Sequence, residues 1–303
     1  MPTTRTSNLS ALLYPGLNKV FFNEYKGILD DTQYDKIFNV SNSEQNYEVT
    51  YEMSMLGGSI PEVGEGEAIT YVDPVGGNTK TFKHKKWGRG FSITEEMYED
   101  DLYKTIGVNA TKALAKASAK TVEVVAASVL NNATSTTYYT GFDGYALAST
   151  AHPVLFTGGT YANRPSTLGA LGITTLQASV LRIEKCPDQD GVIAGLRAKL
   201  LVIPSDLRFI AHEILKSEYK PFTSNNEVNA LASEGLSYFV CHYLSSTTFW
   251  CVLADQHNLK FFWRRKPRFE SSDDFATGNA LFKVTQRHIQ GFDDWRGFDL
   301  GNI

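Results

Sequence analysis

Residues 47–93 constrain this chain most, because they spell two strands with no local core to pack against. Tyr47-Glu48-Val49-Thr50-Tyr51-Glu52-Met53-Ser54-Met55 alternates apolar and polar side chains without a break, the pattern of a half-buried strand. A second extended run follows at Thr79–Ile93. The tract between them is punctuated by Gly57, Gly58, Pro61, Gly64, Gly66, Pro74, Gly76 and Gly77. It carries Glu62, Glu65 and Glu67 at its centre and has no helical period. The expected object is a long two-stranded arm with an acidic tip. An isolated hairpin is marginal in water, and a loop of this length inside a compact domain is uncommon unless it is functional or disordered. Neighbouring copies are expected to complete the arm, so assembly precedes catalysis among the functional classes.

Composition narrows the field by exclusion. A chain of 303 residues can bury a large core in one large or two modest domains. A net charge of −4 does not mark the whole chain as a nucleic-acid binder. Three cysteines, Cys186, Cys241 and Cys251, are odd in number and lack paired spacing, so no disulfide framework is expected. No N-terminal apolar run reads as a signal peptide, and no stretch is long enough to span a bilayer. Folding in a reducing cytoplasm, without a membrane, is the expectation.

Local patterns place the remaining elements. Leu9–Lys26 reads as a short helix broken by Pro15-Gly16, with Tyr34–Val40 extended, so that residues 1–46 form an arm with little core of its own. Ser92-Ile93-Thr94-Glu95 fits a capping box with Ser92 as N-cap, opening a short acidic helix through Asp101. Tyr103–Asn131 carries the longest helical signal, about 40 Å at 1.5 Å per residue. Leu114, Val122, Val125 and Val129 fall near one face, and alanines fill much of the rest. The helix reads as a strut across a domain or simply as a long core helix. Residues 132–170 read as loop with short strands. A compact unit follows. Thr174 and Gln177 form a weak cap before Leu176, Val180 and Ile183. Lys199–Ile203 is a buried strand, and Ser205 caps a helix over Asp206–Lys216. Leu236–Leu244 and Thr248–Ala254 are β-rich runs joined by a Ser-Ser-Thr turn. This order implies a small α/β layer. Leu259–Arg264 alternates as a strand, and Leu281–Ile289 is another.

Candidates for chemistry are few. Asp143, Ser149 and His152 supply the three residue types of a hydrolytic triad within ten residues. Ser149 lacks the flanking glycines of a nucleophile elbow, and such compression hinders the triad geometry. An ordered loop that ties down its own backbone is the expected reading. Cys241, His242, Cys251 and His257 match no zinc spacing, and adjacent strand residues point to opposite faces. Buried cysteines acting as small hydrophobes account for them better. Gly88-x-Gly90 lacks the third glycine of a dinucleotide fingerprint. No cofactor and no enzymatic activity are expected.

Two basic clusters matter more. Lys83, Lys85, Lys86 and Arg89 lie on the returning strand of the arm; Arg264, Arg265, Lys266 and Arg268 lie at the end of a late strand. Phosphate contact and a solvated strand face are both available readings. Docking of Glu62, Glu65 and Glu67 from one copy against a basic cluster of the next ranks above them, because such complementarity sets register and specificity.

The order of elements resembles the tailed-phage major capsid protein of the Hong Kong 97-type fold, and within it the Mu-type major head subunit family. Phe142-Asp143-Gly144 with Ser149-Thr150-Ala151-His152-Pro153-Val154 is similar to that family's loop after the spine helix. Leu200–Leu207 with Ala211–Leu215 resembles its strand and following helix. Thr248–Asp255 resembles the strand ahead of the Arg264–Arg268 segment. Asp294-Trp295-Arg296-Gly297-Phe298-Asp299 is similar to its aromatic-rich ending.

The resemblance implies an α+β fold with an N-terminal arm (1–46), an extended hairpin loop (47–93), a peripheral domain with the spine helix (94–168 and 256–290) and an axial domain (169–255 and 291–303). It implies a virion shell subunit that self-assembles into pentamers and hexamers, assembled in the host cytoplasm. A separate scaffolding protein, or an already processed form of the chain, is implied, with a portal and a decoration protein as further partners. Packaged double-stranded DNA is expected to be contacted only non-specifically. A nanocompartment shell of the same fold is the nearer alternative, and a hydrolase using Ser149 and His152 the more distant one.

Overall fold

The computed structural model describes residues 9–29, 31–54, 59–100, 103–220, 227–274 and 276–303. In chain order the elements are α1 (Leu9–Leu29), α2 (Tyr34–Ile37), β1 (Asn39–Asn42), β2 (Tyr47–Met53), β3 (Gly76–Lys83), β4 (Lys85–Ile93), α3 (Glu95–Glu99) and α4 (Tyr103–Asn131). There follow β5 (His152–Val154), β6 (Gly159–Tyr161), α5 (Ile173–Glu184), β7 (Ala198–Ile203) and α6 (Arg208–Lys216). The last strands are β8 (Ser237–Val240), β9 (Trp250–Ala254), β10 (Leu259–Asp273), β11 (Ala280–Phe292) and β12 (Phe298–Asn302).

Two four-stranded sheets organise the molecule, with orders β1-β10-β11-β4 and β12-β9-β7-β8. On the first sheet, α1 and α4 pack side by side. Leu13, Leu17, Phe21 and Tyr25 of α1 bury against Leu114, Ala115 and Ala119 of α4 and against Phe269, Phe282 and Val284 of the sheet. These α1 residues recur every fourth position, so one stripe faces inward. The second sheet is covered on both sides. Leu201, Ile203, Trp250 and Val252 meet Leu176 and Ile183 of α5 and Ile214 and Leu215 of α6. Val202, Cys251 and Leu253 meet Val122, Ala126, Val129 and Leu130 in the second half of α4. The long helix therefore serves both sheets, and its alanines permit the close approach.

Several local expectations are corrected. Helix α1 runs through Pro15 unbroken and has a substantial core. Proline removes one N–H and crowds the carbonyl four residues back. That carbonyl belongs to Ala11, and Pro15 is exposed, so the loss falls near the helix start while the apolar stripe holds the rest. The segment expected to be extended from Tyr34 begins as the single turn α2. Both oxygens of Glu123 accept its first backbone N–H groups, Gln33 N–H at 2.9 Å and Tyr34 N–H at 3.0 Å. The cap before α3 is Thr94, whose Oγ1 accepts the Met97 N–H at 3.3 Å. Ser92 instead pairs within the sheet opposite Leu281. Asp101 lies outside the described residues. At α5 the Gly172 N–H donates to Thr175 Oγ1 at 3.0 Å, so Thr174 and Gln177 are not the capping pair. Ser205–Leu207 forms a 3₁₀ turn before α6. Strands β8 and β9 are not partners; both pair with β7, which lies between them.

The run expected as one returning strand divides at His84. Residues 76–83 pair antiparallel with β2, Tyr47 opposite Lys83 and Tyr51 opposite Thr79. Residues 85–93 join the first sheet beside β11. One residue thus separates the hairpin from the sheet that carries it. Phe82 lies over the sheet, tilted against Phe262 at 5.3 Å, and Gly291 leaves the room its ring needs.

Candidate functional site

The hairpin projects. Beyond Met53, residues 59–75 have no regular structure, and Ile60 and Tyr71 are 95% and 92% exposed. Ile69, Val72 and Val75 are exposed as well. Apolar side chains of this size left in water on one segment mark an interaction surface. Glu62 and Glu65 are exposed, and Glu67 Oε2 accepts the Gly64 N–H at 3.1 Å, closing the turn at the tip. Gly57 and Gly58 lie outside the described residues. No ion pair among the described residues joins the tip to either basic cluster.

The root of the hairpin is tied down. Glu52 on β2 is buried, with its carboxylate 3.9 Å from Arg296 Nη1 and 3.5 Å from Asn78 Nδ2. Burial raises its pKa, Asp294 raises it further, and Arg296 opposes both. Arg296 also pairs with Asp294 at 3.0 Å and donates to the carbonyls of Pro187 and Asp188.

Cross-strand register merges the two basic clusters. Phe282, Val284, Gln286 and His288 of β11 are buried on the helix side of the sheet, so Lys283, Thr285 and Arg287 point the other way. Directly opposed residues share a face. One row across that outer face is Lys86–Arg287–Arg265, the next Gly88–Thr285–Arg268, the next Gly90–Lys283–Glu270. Five cations therefore stand together on these rows with one carboxylate. Glu270 is shared by Arg268 at 3.0 Å and Lys283 at 3.5 Å. Arg265 donates to Thr285 Oγ1 at 2.7 Å and Arg287 to Asn46 Oδ1 at 3.3 Å. The Nε atoms of Arg264 and Arg265 are buried without a hydrogen-bond partner.

The clusters are placed differently from expectation. Only Lys83 lies on the hairpin; Lys85, Lys86 and Arg89 belong to β4 in the sheet. Arg264, Arg265, Lys266 and Arg268 lie in the middle of β10, where its pairing with β11 is irregular, and not at its end. Lys85 and Arg89 oppose His288 and Val284 and so face the helix side at the sheet edge. Sequence reading missed Lys283 and Arg287. The period-two alternation Leu281, Lys283, Thr285, Arg287 could have found them.

The triad residues form a tie within the loop. His152 is fully buried, its Nδ1 2.6 Å from Asp143 Oδ2 and its Nε2 3.2 Å from Asn163 Oδ1. The same Asn163 oxygen accepts the Ser149 N–H at 2.8 Å, while Asn163 Nδ2 donates to the Leu147 carbonyl. Ser149 Oγ accepts the Ala151 N–H. The His152 ring stacks on Trp295 at 4.5 Å. Every polar atom at His152 is thus spent on the chain's own loop, with Ser149 oriented toward backbone. Cys241 and Cys251 are buried in the core, and burial pushes the Cys241 thiol up to about 11. No group of three His, Cys, Asp or Glu among the described residues could hold a metal. No helix among them is long and apolar enough to cross a membrane.

Comparison with known proteins adds the family. The capsid of Cyanophage P-SCSP1u superposes with a TM-score of 0.54 at 10% identity, covering 89% of this chain and 87% of that one. A structure from Microbacterium phage Oxtober96 gives 0.54 at 9% identity over 89% and 90% of the two chains. The capsid of a native GTA particle gives 0.53 at 12% identity over 88% of each. At such identities the likeness is one of fold, and the fold is the α+β Hong Kong 97-type capsid arrangement. No curated protein sequence matches the chain. A family model described as phage capsid protein matches residues 77–298, from the hairpin's returning strand to β12. With nearly three quarters of its length inside that match, the chain belongs to the phage capsid protein family.

Proposed function

We propose that this chain is the major head subunit of a tailed double-stranded DNA phage, a virion component that associates with further copies of itself into pentamers and hexamers of an icosahedral shell. The family match over 77–298 carries the reading. The projecting hairpin supports it, since Ile60 and Tyr71 stay exposed and find no partner surface among the described residues. The division we favour makes α1, α4 and the first sheet the peripheral domain, and the second sheet with α5 and α6 the axial domain. The segment carrying Glu62, Glu65 and Glu67 docks on a neighbouring copy against the outer sheet face of Lys86, Arg265, Arg268, Lys283 and Arg287. Lys83, Arg264 and Lys266 neighbour that face along the chain, while Lys85 and Arg89 at the sheet edge turn to its helix side. Arginine's planar fork suits carboxylates, and arginine is enriched at protein interfaces where lysine is depleted. A scaffolding protein, a portal and a decoration protein are the further partners, and the packaged genome is contacted without sequence preference.

Negative-stain electron microscopy of the purified chain, alone and co-expressed with its genomic neighbours, tests this. Closed shells, or rings of five and six, are the expected result. A persistent monomer or small dimer in both preparations overturns it. The hydrolase reading has a separate test: His152→Ala would abolish a turnover while sparing the oligomer, whereas the shell reading expects no turnover to lose.

A further inference from the structure

The two helices on the first sheet carry a different kind of positive charge from its outer face. Helices α1 and α4 contain six lysines, no arginine and two glutamates. Glu123 is buried and spent on the first turn of α2; Glu24 pairs with Lys116 at 3.3 Å. This layer is therefore strongly positive in a chain whose net charge is −4. Lys112, Lys116 and Lys120 are exposed and follow one another at four-residue steps, so they stand in one row on α4, each about 6 Å beyond the last. Like charges at that spacing repel and weaken a helix. No carboxylate of α4 stands among them, and Glu24 of α1 reaches only the middle one, Lys116. Asp31 and Glu123 lie beside the Lys120 end and bound the row there.

We propose that this lysine row is the surface that meets the packaged duplex, through its backbone phosphates, so that the helical side of the layer faces the lumen. The inference rests on the shell reading above. Its chemistry is that of a non-specific polyanion contact. Three flexible point charges span about 12 Å, against one phosphate per 3.4 Å along each strand of duplex DNA. The neighbouring positions Ala113, Ala117 and Thr121 offer no side-chain amide or guanidinium for reading base edges. A protein partner would call for arginine, and three arginines, Arg265, Arg268 and Arg287, stand on the opposite face of the sheet. Lysine contacts of this kind dissociate readily as salt rises, which suits a container that must take up and give back its contents.

A duplex-binding titration on the unassembled full-length chain tests it, with a fluorescent 30-base-pair DNA over 50–300 mM NaCl. Replacing Lys112, Lys116 and Lys120 together by glutamine should weaken binding at least tenfold at the lowest salt. It should also reduce the slope of log affinity against log salt by roughly 2 to 3, about 0.9 for each phosphate no longer neutralised. The Lys185→Gln, Lys216→Gln variant, at exposed lysines away from the row, should keep the wild-type slope. Closed shells offered external duplex should not distinguish wild type from the triple variant. A wild-type chain that binds no duplex, or a triple variant with unchanged affinity and slope, overturns the proposal. A triple variant that binds duplex normally but cannot assemble makes the row a contact between copies, which also overturns it. A difference between closed shells places the row outside. Absence of shells from the wild type sinks the shell reading itself, a result read from micrographs and not from the titration.

Discussion

His288 stands in the middle of β11, fully buried, with neither ring nitrogen hydrogen-bonded. Trp87 and Phe261 stack on it at 5.9 and 5.1 Å, and Trp263 meets it edge-on. Burial, helped by His84, pushes its pKa down to about 4. The folded chain keeps the ring neutral, whereas the unfolded chain takes up a proton below about 6.5. This contribution to stability is whole above pH 6.5 and is lost as pH falls toward 4, in all about 3 kcal/mol. Urea unfolding of the unassembled chain from pH 7 to 4 should show that decline, and His288→Leu should flatten it. An equally steep decline in the variant would assign the effect elsewhere. Gly301 makes a second demand of this scale. A Cβ there would stand inside the Trp250 ring. Gly301→Ala should destabilise by about 3 kcal/mol, visible as a lowered Tm. Neither demand is legible in the sequence, because each depends on a neighbour far along the chain.

Elements were legible where one chain segment decides its own fate. The α4 period, the β7 run ending at Pro204 and the alternation of Leu259, Phe261 and Trp263 all became the expected structures. Boundaries failed where a distant partner intervened. The unbroken α1 depends on the sheet beneath it, and α2 depends on Glu123 ninety residues away. Glu123→Ala should cost about 1 kcal/mol of cap and speed amide exchange at Gln33 and Tyr34 before any global change. The break at His84 was illegible for the same reason: residues 79–93 read as one strand, and only the pairing of β4 with β11 divides them. The candidate surface was half legible. Its cations were visible as two clusters, but their union on one face is a matter of register.

At the scale of the molecule, the acidic tip and the cationic face make a charge-reversal experiment decisive. Reversing Glu62, Glu65 and Glu67 to lysine should leave the unassembled chain folded, with a Tm within a few degrees, because these residues are exposed or close only a local turn. Shells should fail to form or form wrongly. Adding Arg265→Glu and Arg287→Glu to the same chain should restore assembly in part, as sedimentation would show. Normal shells from the triple reversal alone would refute the docking.

Strand β11 lies between β10 and β4, so the first sheet cannot close until residue 292 has left the ribosome. Strand β4 is made nearly two hundred residues earlier and must wait for its partner. Through most of synthesis the rows Lys86–Arg287–Arg265 and Gly90–Lys283–Glu270 do not yet exist, although the acidic segment that they are proposed to receive is already exposed. On the docking proposed above, a nascent chain offers its arm long before it can accept another's. On that docking, premature association between chains on neighbouring ribosomes lacks its receiving face until β11 is made.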